Sequence, residues 1–398
     1  MFETKRPSEV DQILALMQAF QADPRDSKVD LVVGVYKDET GAVPVMRAVK
    51  AAERRLVETQ ATKTYLGIAG SPQFRALVAP LLLGEDAPQL AAGRVVSLQT
   101  PGGSGALRVG CDVLANLTPD QKIWVSTPTW ANHIPVAERA GLRVAAYPYF
   151  RPADRRLDFG AMMDKLDTSA RAGEVVLLHA CCHSPTGVDL SLPQWRDLTE
   201  LLAQKGLIPF VDCAYQGMGD GLEDDVAGLR HMAAHVPEML IASSFSKNFG
   251  IYAERTGALT LMGAEAGHAQ TAFAAAENMI RTNYSMPPDH GAQVVTTILT
   301  DPDLRAGWAA ELAQMRGRIA DMRQSLRQML EQRQVTRDLS FLTDQKGMFS
   351  YTGFTPDQVT HLREAHGIYM ADDGRINVAG LSQAVLPQVA DGFAAVLR

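Results

Sequence analysis

Short apolar, β-branched runs alternate through the middle of the chain with longer stretches of mixed polarity. VVSLQ (95–99), KIWVS (122–126), EVVLLHA (174–180), IPFVD (208–212) and LIASSF (240–245) carry the strand signal. Between them lie segments long enough for helices, such as LPQWRDLTELLAQKG (192–206), where Leu198, Leu201 and Leu202 share one face. Near-continuous apolar strands separated by helices predict an α/β fold, with a mostly parallel sheet covered on both faces, from about residue 45 to 300. The tail changes character. A long helix rich in Arg, Gln and Met is predicted over 303–332, then a strand pair around GMFSYTG (347–353). Thr355 as N-cap, Pro356 at the first helical position and Gln358 at the third make a capping box that opens another helix. A strand at RINVAG (375–380) and a closing helix follow. The chain thus divides into a large domain over 41–302 and a smaller α+β domain formed by 1–40 with 303–398.

Ligands of open parallel sheets bind beyond the carboxyl ends of the strands. Here those ends are rich in reactive side chains. TPGGSG follows VVSLQ, TPTW follows KIWVS, CCHSPTG follows VVLLHA, DCAY follows IPFV, and SFSK follows LIAS. The pattern places five strand ends around one site.

Composition narrows the class of function. The 398 residues include 38 basic and 45 acidic ones, a net charge of -7, and no Lys/Arg block, so a nucleic-acid partner is not expected. No segment reaches the roughly 18 consecutive apolar residues of a membrane span. At the N-terminus Asp11 and Gln12 interrupt the apolar stretch, and Ile13, Leu14, Leu16, Met17 and Phe20 keep helical spacing, unlike a secretion signal. Cys111, Cys181, Cys182 and Cys213 lack C-x-x-C spacing, and three lie in strand-like runs. Reduced, buried thiols in a cytoplasmic protein are expected.

Lys247 ends a run of small and apolar residues, where a lysine needs a partner or a task. A buried ion pair, a Ser-Lys acyl-transfer pair and a Schiff base are the three explanations. Ser244-Phe245-Ser246-Lys247 matches S-x-x-K, but the S-D-N and distant K-T-G elements that accompany it in penicillin-binding enzymes are missing. A Schiff base to pyridoxal phosphate needs an anion site, a carboxylate and a stacking ring. Gly102-Gly103-Ser104-Gly105 opens a helix whose N-terminus favours an anion, although a plain tight turn fits equally well. Asp212 closes an apolar strand three residues before Tyr215; it reads as a functional carboxylate or as a helix cap. Trp130 is a stacking ring or a core filler. His179, Cys181 and His183 would share one face of a strand, but no second ligand cluster with zinc spacing accompanies them, so no metal is expected. His231, His235 and His361 read as surface residues.

A family resemblance adds to these readings. GVYKDETG, TYLGIAGSP, TPGGSGALR, PTWANH, CCHSPTG, DCAYQG, SSFSKNFGIYAERTG, IRTNYSMPP, GMFS and RINVAG closely resemble, in order and over nearly the whole chain, the aspartate/aromatic branch of class I aminotransferases. Those are fold-type I enzymes that use pyridoxal phosphate. The resemblance implies that Lys247 is the Schiff-base lysine and proton carrier, that Asp212 faces the pyridine nitrogen with His133 behind it, and that Tyr215 meets the ring oxygen. It implies that Trp130 stacks on the ring and that Gly103, Ser104, Ser244, Ser246 and Arg255 hold the phosphate, helped by Tyr65 from a partner subunit. Arg375 with the backbone of Gly34 would clamp the substrate α-carboxylate, and Arg281, also from the partner, a distal carboxylate. A homodimer with shared sites and ping-pong transfer to 2-oxoglutarate are implied.

One position departs from the family. Where its pattern has asparagine, a donor to the ring oxygen, this chain has Ser184, whose hydroxyl is shorter. The pocket-lining residues are mixed as well: Val35 and Lys37 look aspartate-like, whereas Val43, Thr64, Ser104 and Met286 are smaller or less polar than the aspartate pattern. Dual activity toward aspartate and aromatic amino acids is therefore expected. A lyase on the same fold and a non-catalytic, cofactor-binding regulator are the alternatives.

Overall fold

A computed structural model describes residues 12–397. At its centre is a seven-stranded sheet. The strands, with the short ones outside the sheet, are β1 (Val29–Asp30), β2 (Val95–Pro101), β3 (Lys122–Thr127), β4 (Arg143–Pro148), β5 (Phe150–Arg151), β6 (Arg156–Leu157), β7 (Val175–His179), β8 (Ile208–Cys213), β9 (Met239–Ser244), β10 (Thr256–Met262), β11 (Phe349–Tyr351), β12 (Ile368–Tyr369) and β13 (Arg375–Asn377). The sheet order is β2-β10-β9-β8-β7-β3-β4. All neighbours are parallel except β10, which runs antiparallel to both β2 and β9.

The five expected strands all lie in this sheet. Alternate residues feed opposite cores, as a doubly covered sheet requires. Trp124, Val176, Val211 and Ile241 face one hydrophobic cluster, and Ile123, Val125, Val175, Phe210 and Ala242 face the other. Two sheet strands escaped the sequence reading. RVAAYP is the edge strand β4, half exposed and rich in alanine, so its apolar signal is weak. TGALTLM returns antiparallel soon after the lysine loop, with only the three-residue 3-10 turn Tyr252–Glu254 between, which breaks the strand–helix alternation.

The helix Leu192–Lys205 has a capping box from Ser191 and Gln194, ends at Gly206 in the left-handed region, and buries Trp195, Leu198 and Leu202. In the tail the long helix runs Pro302–Gln332, started by Asp301, whose carboxylate accepts from the Asp303 and Leu304 amides. The Thr355–Gln358 capping box forms as expected. The strand pair expected within 347–353 does not. A single strand, β11, pairs with the distant β13, because Gly353 turns the chain (φ +71) into the capped helix. β1 pairs in parallel with β12, so the N-terminal segment docks on the tail, and Leu16, Val32 and Tyr369 form a small core there. Asp11 lies outside the described residues, and the first helix runs Gln12–Ala22. All four cysteines are free and buried. Among the described residues no helix is long and apolar enough to cross a membrane.

Candidate active site

The carboxyl ends of β2, β8 and β9 and the turns after β3 and β7 surround a cavity of about 240 Å³. On one wall, β2 turns at Gly102 (φ +72) into the helix Gly102–Leu117. At that φ a side chain would be strained, and a Cβ would lie 2.5 Å from the Arg255 guanidinium, so glycine suits the turn. Gly103 and Ser104 at this helix N-terminus line the cavity with Ser244 and Ser246, Gly103 packing against Ser244. Arg255 Nη1 donates to Ser246 Oγ (3.3 Å) and to the Tyr252 carbonyl (3.0 Å). A helix N-terminus, three hydroxyls and a guanidinium form a ready anion cradle.

On the opposite wall, Asp212 is buried near the end of β8. Its Oδ2 lies 3.0 Å from His133 Nε2, and His133 Nδ1 lies 2.7 Å from Thr129 Oγ1. With the threonine hydroxyl donating to Nδ1, Nε2–H is left to donate to Asp212. Burial opposes ionisation of Asp212, but the opposing effects, led by the His133 hydrogen bond, outweigh it and hold the carboxyl below its usual range. Trp130 lines the cavity and meets the His133 ring edge-on at 5.3 Å. Ser184, buried beside this wall, precedes the cis-linked Pro185.

Lys247 sits between the two walls, in the loop after β9. Among the described residues its ammonium has no hydrogen bond or ion pair; Nζ lies 4.9 Å above the Tyr215 ring. Burial lowers its pKa against the pull of Asp212, and Arg255 adds to the lowering. Burial raises the pKa of the Tyr215 hydroxyl well above the usual phenol value, and Asp212 adds to that shift. The site therefore combines an amine disposed to lose its proton, an ionised carboxylate and an anion cradle.

The sequence profile of aminotransferase class I and II matches residues 26–393. The aspartate aminotransferase of Salmonella typhi is 47% identical over 100% of both chains, and the aromatic-amino-acid aminotransferase of Paracoccus denitrificans is 46% identical over 98% of both. The solved aromatic-amino-acid aminotransferase of Burkholderia pseudomallei, described as covalently bound to pyridoxal phosphate, superposes with a TM-score of 0.98 at 44% identity over 100% of both chains. The chain belongs to the class I and II aminotransferases.

In this aminotransferase the cavity lining brings together Gly34, Gly103, Ser104, Trp130, Ser184, Asp212, Tyr215, Ser244, Ser246, Lys247 and Arg255, as the sequence reading named them. Arg375 stands nearby, its Nη2 donating to the Val32 carbonyl at 3.1 Å. Two expected residues are elsewhere in the single chain: Tyr65 is 88% exposed, and the exposed Arg281 donates to Ser285 Oγ at 2.6 Å. The reading gave no role to Tyr252, which lines the cavity and whose hydroxyl accepts from the Tyr36 amide at 3.0 Å. Its signal was its place five residues after Lys247. The shared face expected of His179, Cys181 and His183 is lost because β7 ends at His179 and Cys182 takes a positive φ (+49). His183 is instead a core residue, bonded to Ser126 (2.9 Å) and Thr186 (2.8 Å) and stacked on Tyr149 at 4.0 Å. His179 lines the cavity with Nε2 unpartnered among the described residues, and burial pushes its pKa down to about 3.

Proposed function

We propose that this aminotransferase uses pyridoxal phosphate to move the amino group of aspartate and of aromatic amino acids to 2-oxoglutarate, in two half-reactions of ping-pong type. The observation that carries this reading is the unpaired Lys247 amine between an anion cradle and the His133-supported Asp212. The donor set fits the cofactor: Gly103, Ser104, Ser244, Ser246 and Arg255 suit its phosphate, Asp212 its ring nitrogen, Tyr215 and Ser184 its ring oxygen, Trp130 its face, and Lys247 its aldehyde. When bound, the cofactor supplies an aldehyde that condenses with amines and a ring that takes up the electron pair left at a substrate α-carbon.

The chain's own residues do the rest. Asp212, held ionised, accepts a ring N–H and keeps that proton in place. The buried Lys247 amine, once free, takes the substrate's α-proton and gives it up again on the same face, as a general base and then acid. Tyr215, kept neutral by burial, donates its O–H. Arg375 offers its guanidinium to the α-carboxylate beside the Gly34 backbone.

Among the described residues the cavity lining has two basic side chains, Lys247 and Arg255, and the proposed roles leave neither spare for a distal carboxylate. The exposure of Arg281 and Tyr65 supports a homodimer in which each chain lends both residues to its partner's site. The four unpaired, buried cysteines support a cytoplasmic location. Pairing of β1 with β12 supports a small domain of 1–40 with 303–398 beside a large domain of 41–302. The direct test is the visible spectrum of cofactor-loaded protein. Glutamate should abolish the absorption of the lysine-linked cofactor and 2-oxoglutarate should restore it; a spectrum indifferent to both would refute transfer.

A further inference from the structure

Arg375 has more donors than partners. Its guanidinium makes one hydrogen bond, to the Val32 carbonyl, and no ion pair among the described residues. One such bond fixes a single nitrogen and leaves the plane of the group free to rotate about it. Phe349 supplies a second contact: the Arg375 Cζ atom lies over that ring, 4.5 Å from its centroid. Phe349 pairs across the ladder with Asn377 and Arg375 with Tyr351, so Phe349 and Arg375 are diagonal neighbours on one face of the β11–β13 pair. A point and a plane together orient the remaining N–H groups for a two-pronged carboxylate.

The ring itself has no slack. A Cβ at Gly34 would lie 2.7 Å from Phe349 Cζ, and Tyr215 meets the ring edge-on at 6.2 Å. Behind it, the strand is held by Arg323 of the long helix, which is only 4% exposed. Arg323 donates to the carbonyls of Leu342 (3.0 Å), Gly347 (2.9 Å) and Phe349 (2.5 Å). A buried cation without a carboxylate partner is costly, and here its donors converge on the bend that delivers Phe349.

We infer that Phe349 is a positioning residue for the substrate carboxylate, its ring serving as the platform that orients Arg375 and its strand anchored by Arg323. The inference rests on the proposed reading of Arg375 as the carboxylate clamp. Amino donor and oxo-acid acceptor both carry that carboxylate, so loss of the ring face affects both half-reactions alike.

The test is steady-state kinetics on holoenzyme carrying Phe349→Leu or, in case that variant folds poorly, Phe349→Met. KM for the amino donor and for 2-oxoglutarate should each rise roughly tenfold while kcat stays nearly constant, because uniform binding is what is lost. Arg323→Lys should move both KM values the same way by less. Folded variants with both KM values unchanged, or with kcat alone reduced, would show that the ring merely fills space and would overturn the inference while leaving the proposed function intact. A wild-type holoenzyme that turned over no amino acid would bring down both.

Discussion

Ser184 is the residue at which this chain parts from its family's pattern. Its hydroxyl lies buried at the cavity with no hydrogen bond among the described residues. An asparagine there would place an additional N–H near the ring oxygen of the cofactor and stabilise negative charge on it. The proton on the Lys247-linked nitrogen would then leave more easily. In Ser184→Asn the pH midpoint of the visible absorption change should fall by roughly one unit, the value of one charge-assisted hydrogen bond. Equal midpoints would remove Ser184 from the list of tuning residues. Arg281 governs a different quantity. Replacing it with leucine should lower kcat/KM for aspartate by about 10²–10³-fold and for phenylalanine far less, since only the former loses a charge partner. Parallel losses for the two donors would sever Arg281 from the distal carboxylate. Residues of this kind were legible in the sequence because lysine, aspartate and arginine at strand ends demand a chemical reason. Phe349 was not, because a phenylalanine in an apolar strand needs none.

Among the elements, the helix Gly102–Leu117 does most to build the site, since its first turn is half of the anion cradle. Gly102 must hold a left-handed φ there and leave room for Arg255. In Gly102→Ala the backbone conformation alone costs about 1–2 kcal/mol, so cofactor affinity measured by titration of the apoprotein should fall about tenfold or more. Undiminished affinity would mean that the turn relaxes without disturbing the cradle. The same scale explains which elements the sequence disclosed. β3, β7, β8 and β9 are buried on both faces and stand out as continuous apolar runs. β4 is a half-exposed edge, and the partner of β11 is set by a turn 353 residues into the chain and a strand twenty-odd residues beyond it, information that no local window contains.

Seen as a whole molecule, the described residues line the cavity with Lys247 and Arg255 as its basic side chains, while Tyr65 and Arg281 stand exposed. If each chain completes its partner's site, two crippled chains can repair one another. Lys247→Ala and Arg281→Leu subunits, mixed by denaturation and refolding, should regain aspartate transfer at about a quarter of the sites, because half of randomly paired dimers carry one intact site out of two. Absence of any regain would argue for sites built within one chain. Lys247 and Arg255, proposed as the reactive amine and a phosphate anchor, come in contrast from one stretch of one chain. Lys247 and Arg255 both ride on the reversal between β9 and β10, whose ends are locked by the Gly257↔Ser244 pairing. An inserted or deleted residue in that reversal would displace amine and guanidinium together, with no neighbouring loop able to absorb the change. The number of residues between Ser244 and Gly257 therefore sets how amine and guanidinium are spaced in the cavity.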